Sequence, residues 1–455
     1  MKLKLFGSSG VRGLTNVELT PTLAAQVALA VATHARAKKV LVARDTRVSG
    51  LMFEEAIVSG LLAAGANVTC MGIVPTPVLA FLTKKLQADA GVMITASHNP
   101  PEYNGIKIFS NDSLAYDEKS QDKIEEIVGK NNFLFAEWRN VGRLERVDLD
   151  SIYAETVKNK TRLGKEWNVI VDPGCGATYS LAPLLLDELG CKVTAVNAQP
   201  DGFFPARSPE PNAESLKPLC GIVRELGADV AVAFDGDGDR VAFIDEKGNF
   251  ADFDRSLAAY AAHETRKRGG GVIVTNVEAS MCIDRMVENE GGRVVRTRVG
   301  DVYVSEAMKA HEASFGGEPC GAWIHAEFHL CPDGILSSIV LLKALEEEGK
   351  TLSEFVAEAP RYSTLRKNFA CGNETKEDVV QEVAIGFKDV FPGHKDFSEV
   401  DGFRLVLEDG WVLVRASGTE PLIRLTVEGE SLRRAKQIME ESESIVRRHV
   451  RRKHE

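Results

Sequence analysis

Four short segments carry side chains capable of chemistry. They are Thr95-Ala96-Ser97-His98-Asn99-Pro100, Asp235-Gly236-Asp237-Gly238-Asp239-Arg240, Gly317-Glu318-Pro319-Cys320-Gly321 and Arg415-Ala416-Ser417-Gly418-Thr419-Glu420-Pro421, with Arg424 just beyond. The second is the strongest. Three carboxylates this close repel one another unless a cation neutralises them. The intervening glycines let the backbone bend so that the carboxylates converge. A ligand set made only of oxygen selects a hard ion such as Mg²⁺. Asp235, Asp237, Asp239 and Glu246 also fall at positions 1, 3, 5 and 12 of a calcium loop. Position 6 of that loop must be glycine but is Arg240 here, and the flanks read as strands, which speaks against a calcium hand.

Ser97 directly follows an apolar run. A serine at a strand end lies where backbone N–H groups can hold an anion, so it reads as a nucleophile or a phosphorylated hydroxyl. The same loop, closed by Pro100 and Pro101, also reads as an ordinary Ser/Asn turn. A Ser–His–Asp hydrolase fits poorly: Ser97 and His98 are chain neighbours, and the Gly-x-Ser-x-Gly elbow is absent. Glu318, in a turn bracketed by glycines, could grip sugar hydroxyls. Arg415, Ser417, Gly418, Thr419 and Arg424 combine two guanidinium groups, two hydroxyls and a flexible glycine, the makings of a phosphate cradle or simply of a strand-edge turn. Cys320, His325, His329 and Cys331 have a zinc-like composition, but their spacing matches no ribbon or finger. They read as part of a substrate loop or as packing.

The elements that must position these loops alternate in type. Val40–Ala43, Gly91–Ile94, Val169–Val171, Asp229–Phe234 and Gly271–Thr275 read as strands, and helices are expected over 50–65, after Asp172-Pro173-Gly174 up to Gly190, and near 279–289. That pattern predicts an α/β fold with parallel sheets and right-handed crossovers. Three similar mixed α/β units are expected at 1–150, 151–252 and 253–365. A smaller α+β C-terminal unit should follow at 366–455, with strands within 367–371 and 400–427 and helices near 375–388 and 431–450. Ligands of open α/β sheets bind at the carboxyl ends of strands, where the first loops fall.

Bulk properties narrow the options. The chain has 455 residues and a net charge of −11, which disfavours nucleic acid as a partner. The basic run Arg447, Arg448, Arg451, Arg452 and Lys453 reads as a solvated helix end. No signal peptide and no apolar run of membrane-spanning length is visible, so a cytoplasmic protein without membrane contact is expected. The 8 scattered cysteines read as reduced thiols.

Taken together and in this order, the loops resemble the α-D-phosphohexomutase superfamily over the whole chain. Gly7-Ser8-Ser9-Gly10-Val11-Arg12-Gly13, Asn104-Gly105-Ile106-Lys107 and Gly300-Asp301 add to the likeness. The resemblance implies that Ser97 carries a phosphoryl group. One Mg²⁺ per chain would bind that group and Asp235, Asp237 and Asp239. Arg12, His98 and Arg240 would complete the catalytic set. Lys107 would be the general acid/base, provided its neighbours lower its pKa. Glu318 and Cys320 would meet the sugar, while Arg415, Ser417, Gly418, Thr419 and Arg424 would hold the non-reacting phosphate. The substrate would be a hexose or hexosamine phosphate, with a bisphosphorylated sugar as activator and primer, and a homodimer stays open. The Gly-Glu-Pro-Cys-Gly variant looks most like archaeal-type phosphoglucosamine mutases. The alternatives are a phosphomannomutase/phosphoglucomutase, a non-catalytic sugar-phosphate-binding protein, and a hydrolase using the same metal site.

Overall fold

Apolar, β-branched runs form the centre of each sheet because both of their faces are covered. Ala90–Ile94 and Val230–Phe234 are buried at every residue. In a computed structural model, residues 4–7, 10–417 and 420–452 are described. Ser8, Ser9, Gly418, Thr419 and Lys453 lie outside them, as do the side chains of Arg451 and Arg452.

Four sheets follow one another along the chain. The first has seven strands in the order Phe6–Gly7, Gly10–Leu14, Tyr103–Ser110, Ala90–Ile94, Lys39–Arg44, Asn67–Ile73, Leu144–Arg146. The second runs Val241–Ile244, Val230–Phe234, Asn168–Asp172, Lys192–Ala195, and the third Gly292–Thr297, Gly271–Asn276, Phe315–Glu318, Ala322–His325. The fourth has five strands, all antiparallel, from Ser363–Ala370 through Leu422–Gly429, Gly410–Ala416 and Phe403–Val406 to Asp396–Ser398.

The first three sheets are mixed, whereas the strand–helix alternation predicts parallel ones. Many of their pairs are parallel, but Tyr103–Ser110, Val241–Ile244 and Ala322–His325 run antiparallel to the strands before them, and Gly10–Leu14 runs antiparallel to both Phe6–Gly7 and Tyr103–Ser110. A parallel return needs a crossover of a dozen or more residues. The segments that join these pairs, 95–102, 235–240 and 319–321, are far shorter. Each is therefore a hairpin, and each holds one of the chemical loops. The fourth loop, 417–421, likewise joins the antiparallel strands Gly410–Ala416 and Leu422–Gly429.

One hydrophobic cluster runs through the first three units, from Leu79 and Phe81 through Tyr153 and Phe234 to Phe315, Trp323 and Leu336. The fourth unit has its own core beneath helices Lys376–Val390 and Leu432–Arg452. It docks on the third through Trp411 and Leu413, which pack with Val277, Met281 and Val299. Glu428 secures this contact by accepting from the Trp411 Nε1–H at 2.8 Å and the Met281 N–H at 2.9 Å. Among the described residues, no helix is long and apolar enough to cross a membrane.

Trp411 is fully buried. Replacing it by alanine is expected to cost about 3–5 kcal/mol. The loss should appear in urea denaturation of the transition that includes the fourth unit, with faster limited proteolysis around 357–363. An unchanged transition would show that Trp411 does not hold the units together.

Candidate active site

Ser97 sits at the tip of the first hairpin with φ +52°, a left-handed conformation that favours glycine. The surrounding structure holds it there. Its N–H donates to Thr95 Oγ1 at 2.8 Å, and the Thr95 hydroxyl donates to Asp45 Oδ2 at 2.7 Å. The Arg47 guanidinium is paired with Asp45 at 3.0 Å. It donates to four carbonyls of the loop: Pro100 at 2.6 Å, Tyr103 at 2.9 Å, Ser97 at 2.9 Å and Asn99 at 2.6 Å. These bonds leave the Ser97 hydroxyl facing the second unit, where it donates to Asp235 Oδ2 at 2.7 Å, with His98 Nδ1 at 3.2 Å.

The aspartate loop reaches Ser97 because Gly236 has no side chain. A Cβ there would lie 2.5 Å from the Ser97 carbonyl oxygen. Gly238 turns the chain at φ +76°, and a Cβ at that position would meet Thr178 Cγ2 at 2.4 Å. Asp235, Asp237 and Asp239 are all buried, and their ligand oxygens lie within 4.8 Å of one another. Among the described residues, no other group of His, Cys, Asp or Glu is placed to hold a metal ion. Oδ1 of Asp237 and Oδ1 of Asp239 are buried without a hydrogen-bond partner. Orphaned carboxylate oxygens beside Asp235 are the donor set a hard divalent cation requires, so these residues fit Mg²⁺.

Burial and the like charges of Asp239 and Asp237 hold the Asp235 carboxyl well above the usual carboxylate range. Burial acts on Asp237 too, but the Lys107 charge and hydrogen bonds from Lys107 and Thr76 outweigh it and bring its pKa down. Lys107, on strand Tyr103–Ser110, donates to Asp237 at 2.7 Å and to Asp239 at 2.5 Å. Burial lowers the Lys107 pKa, but the bare carboxylates of Asp237 and Asp239 outweigh it and raise it. Arg12 Nη1 donates to Asn99 Oδ1 at 3.0 Å. Burial and the neighbouring Arg240 pull the Arg12 pKa down. Burial opposes the Arg240 charge, but Asp239, Asp235 and Glu318 sustain it. Burial, with Arg240 and Arg12 close by, pushes His98 down to about 2.

Glu318 Oε1 accepts from Asn276 Nδ2 and from the Gly300 N–H, each at 2.8 Å. Burial and Asp301 raise its pKa against those bonds. Burial pushes the Cys320 thiol up to about 12, so it stays protonated. In the fourth unit, Arg415 Nε donates to Glu278 Oε1 at 2.7 Å. The Glu278 N–H in turn donates to Asn276 Oδ1 at 2.9 Å, so Arg415 reaches the surroundings of Glu318 through two residues. Arg424 pairs with Glu420 at 2.9 Å, and the Ser417 carbonyl accepts from Lys376 Nζ at 2.5 Å. The partners of Arg424 and Ser417 thus lie within the fourth unit. The catalytic group is gathered tightly, and the described part of the cradle stands apart from it. The zinc-like set disperses: His325 Nε2 pairs with Ser337 Oγ at 3.0 Å and His329 Nε2 with Asp333 Oδ2 at 2.9 Å.

Arg47, Thr76, Asn276, Glu278 and Lys376 were not legible in the sequence as parts of the site. All act through partners that only folding brings near. The one local trace is that Arg47 follows the strand end at Arg44-Asp45.

Arg47→Ala should lower the unfolding free energy by about 3–5 kcal/mol, because it strands a buried carboxylate and several carbonyls. Arg47→Lys should recover only part of this, since an ammonium lacks the planar fork. An unchanged denaturation midpoint in Arg47→Ala would show that the loop supports itself. A second expectation concerns pH. Burial pushes His325 to about 3, as it pushes His98 to about 2, both from 6.5. The folded state then binds fewer protons than the unfolded state below pH ~6.5, so this stabilisation is present above that pH and is lost as the pH falls. Each ring should contribute a slope of up to about 1.4 kcal/mol per pH unit below ~6.5, and both should stay neutral at pH ~5 by imidazole NMR. Protonated rings at that pH would contradict it.

Four family profiles match the chain in order. Phosphoglucomutase/phosphomannomutase alpha/beta/alpha domains I, II and III match residues 3–135, 150–248 and 253–362, and the C-terminal domain matches 367–444. A protein of Pyrococcus abyssi named "Probable phosphoglucosamine mutase" is 41% identical over 98% of both chains. One of the same name from Methanococcoides burtonii is 46% identical over 94% of this chain and 95% of its own. The crystal structure of a phosphoglucomutase/phosphomannomutase family protein from Burkholderia thailandensis superposes with a TM-score of 0.88 at 26% identity, covering 98% of this chain and 97% of that one. With relatives of this identity along nearly its whole length, the chain belongs to the phosphoglucomutase/phosphomannomutase family.

Proposed function

We propose that the chain is a phosphoglucosamine mutase that interconverts glucosamine 6-phosphate and glucosamine 1-phosphate, with Ser97 as the phosphoryl carrier. The observation that carries this reading is the 2.7 Å bond from the Ser97 hydroxyl to Asp235 in a buried three-aspartate site. The archaeal relatives named for that activity support the choice of sugar. Each unit, 1–150, 151–252, 253–365 and 366–455, carries one of the four loops.

In the cycle, phosphorylated Ser97 gives its phosphoryl group to the free hydroxyl of the sugar phosphate. A bisphosphate results, which turns over in the cleft and returns its other phosphoryl group to Ser97. Asp235, Asp237 and Asp239 would hold Mg²⁺, which when bound supplies positive charge to the transferring oxygens. Arg12 and Arg240 are fixed cations around the same point, so they need not reorganise as charge moves. In each transfer the attacking hydroxyl loses its proton and the departing oxygen gains one, and Lys107, the acid/base group that the family resemblance offers, would carry that proton between them. Glu318 and the Cys320 thiol would position sugar hydroxyls, and His98, held neutral, orients the Ser97 oxygen. Arg415, Ser417, Gly418, Thr419 and Arg424 would grip the phosphate that is not transferred. That grip is the same for both isomers, so one cradle serves both orientations of the sugar. Docking of the fourth unit keeps water from the phosphoserine.

Purified protein should carry an excess of about 80 Da, one phosphoryl group, that Ser97→Ala abolishes together with isomer exchange. With Mg²⁺ and a bisphosphate primer, kcat/KM should be highest for glucosamine phosphate among the glucosamine, glucose and mannose phosphates. A preference for glucose or mannose phosphate would move the assignment to a phosphomannomutase/phosphoglucomutase. Release of inorganic phosphate at the rate of substrate loss would overturn the mutase reading in favour of a hydrolase.

A further inference from the structure

The aspartate loop is gripped from two sides by helix N-termini. Helix Thr76–Lys85 of the first unit donates the Thr76 N–H to the Asp237 carbonyl at 2.9 Å and the Thr76 hydroxyl to Asp237 Oδ2 at 2.5 Å. Helix Gly334–Glu348 of the third unit donates the Gly334 N–H to the Gly238 carbonyl at 3.1 Å. The absence of a side chain at Gly334 permits this approach. A Cβ there would lie 2.8 Å from the Arg240 carbonyl oxygen and 3.0 Å from that of Gly238.

The start of that helix is itself fixed by Asp333, a fully buried carboxylate. Its Oδ1 caps the helix by accepting from the Leu336 N–H at 2.9 Å. Its Oδ2 accepts from the Tyr153 hydroxyl at 2.8 Å and pairs with His329 Nε2 at 2.9 Å. His329 Nδ1 is buried without a partner. A proton there would have no acceptor, so the proton belongs on Nε2, directed at Asp333. Phe81 of the first unit packs edge-on against both rings, with centroids 5.6 Å from Tyr153 and 6.0 Å from His329. The knot therefore draws on the first unit, on the helix that opens the second, and on the third.

We propose that Asp333, held by Tyr153 and His329, is a positioning residue that sets how tightly Asp235, Asp237 and Asp239 hold their divalent cation. It acts through the Gly334 N–H, which fixes the Gly238 carbonyl between Asp237 and Asp239. The proposal rests on the metal reading given under Proposed function. Groups that orient metal ligands typically change metal affinity by about 10–100-fold when removed.

The test is Mn²⁺ binding to the full chain, followed by electron paramagnetic resonance without substrate, at matched Ser97 phosphorylation. Asp333→Asn keeps a capping oxygen but presents an amide to two donors, and should weaken Mn²⁺ binding roughly 10-fold. Tyr153→Phe removes one oxygen from a folded core and should weaken binding in the same direction, by less. The Mg²⁺ concentration for half-maximal exchange should rise with the Mn²⁺ dissociation constant, while KM for the sugar phosphate at saturating Mg²⁺ stays put. If Tyr153→Phe and folded Asp333→Asn bind Mn²⁺ as the wild type does, the proposal is overturned. If wild type binds no Mn²⁺, the metal reading fails and the proposal falls with it.

Discussion

Three carboxylates buried within 4.8 Å of one another are the constraint around which the molecule is arranged. Burying one unpaired charge is costly, and burying three side by side is prohibitive unless opposite charge and hydrogen bonds converge on them. The compensation comes from several units. Lys107 and Thr76 come from the first, Arg240 from the second, and the N-terminus of helix Gly334–Glu348 from the third. The aspartate loop thus joins three units that each have their own sheet. The hydrophobic cluster shared among them brings the loop and its partners to one point.

The four chemical loops share one construction. Each is a short link between a strand and its antiparallel neighbour. A short link cannot wander, so the side chain at its tip is placed by the sheet beneath it. In the first loop this goes further. Arg47 fills the hollow of the turn with a planar set of donors and holds Ser97 at positive φ. The strain at Ser97 is borne by a buried ion pair and four carbonyls, and the hydroxyl is left facing Asp235.

The reacting end and the gripping end are built differently. Around Ser97 the side chains are buried and paired across units. In the fourth unit Arg424 is partly exposed and has a local glutamate for a partner. Arg415 bridges toward the sugar end, through Glu278 and Asn276 to Glu318. A rigid centre suits phosphoryl transfer, where charge must be met without reorganisation. A separately cored unit docked through Trp411 suits a part that admits and then encloses a ligand.

The local order of residues was enough to mark several strands and helices and to single out the loops. Apolar runs ending in Thr95, Asp235 and Thr275 mark strands, and alternating aspartates and glycines mark a cation site, because burial, backbone freedom and like-charge repulsion act over a few residues. Lys107 shows where that reading stopped. Its residue type suggested an acid/base, but its partners are two carboxylates 130 and 132 residues away. Folding in three dimensions was needed to bring Arg47 to the Ser97 loop, make the sheets mixed, and set Asp333 behind the aspartates. These depend on which distant groups share a desolvated space, and no local spacing encodes that.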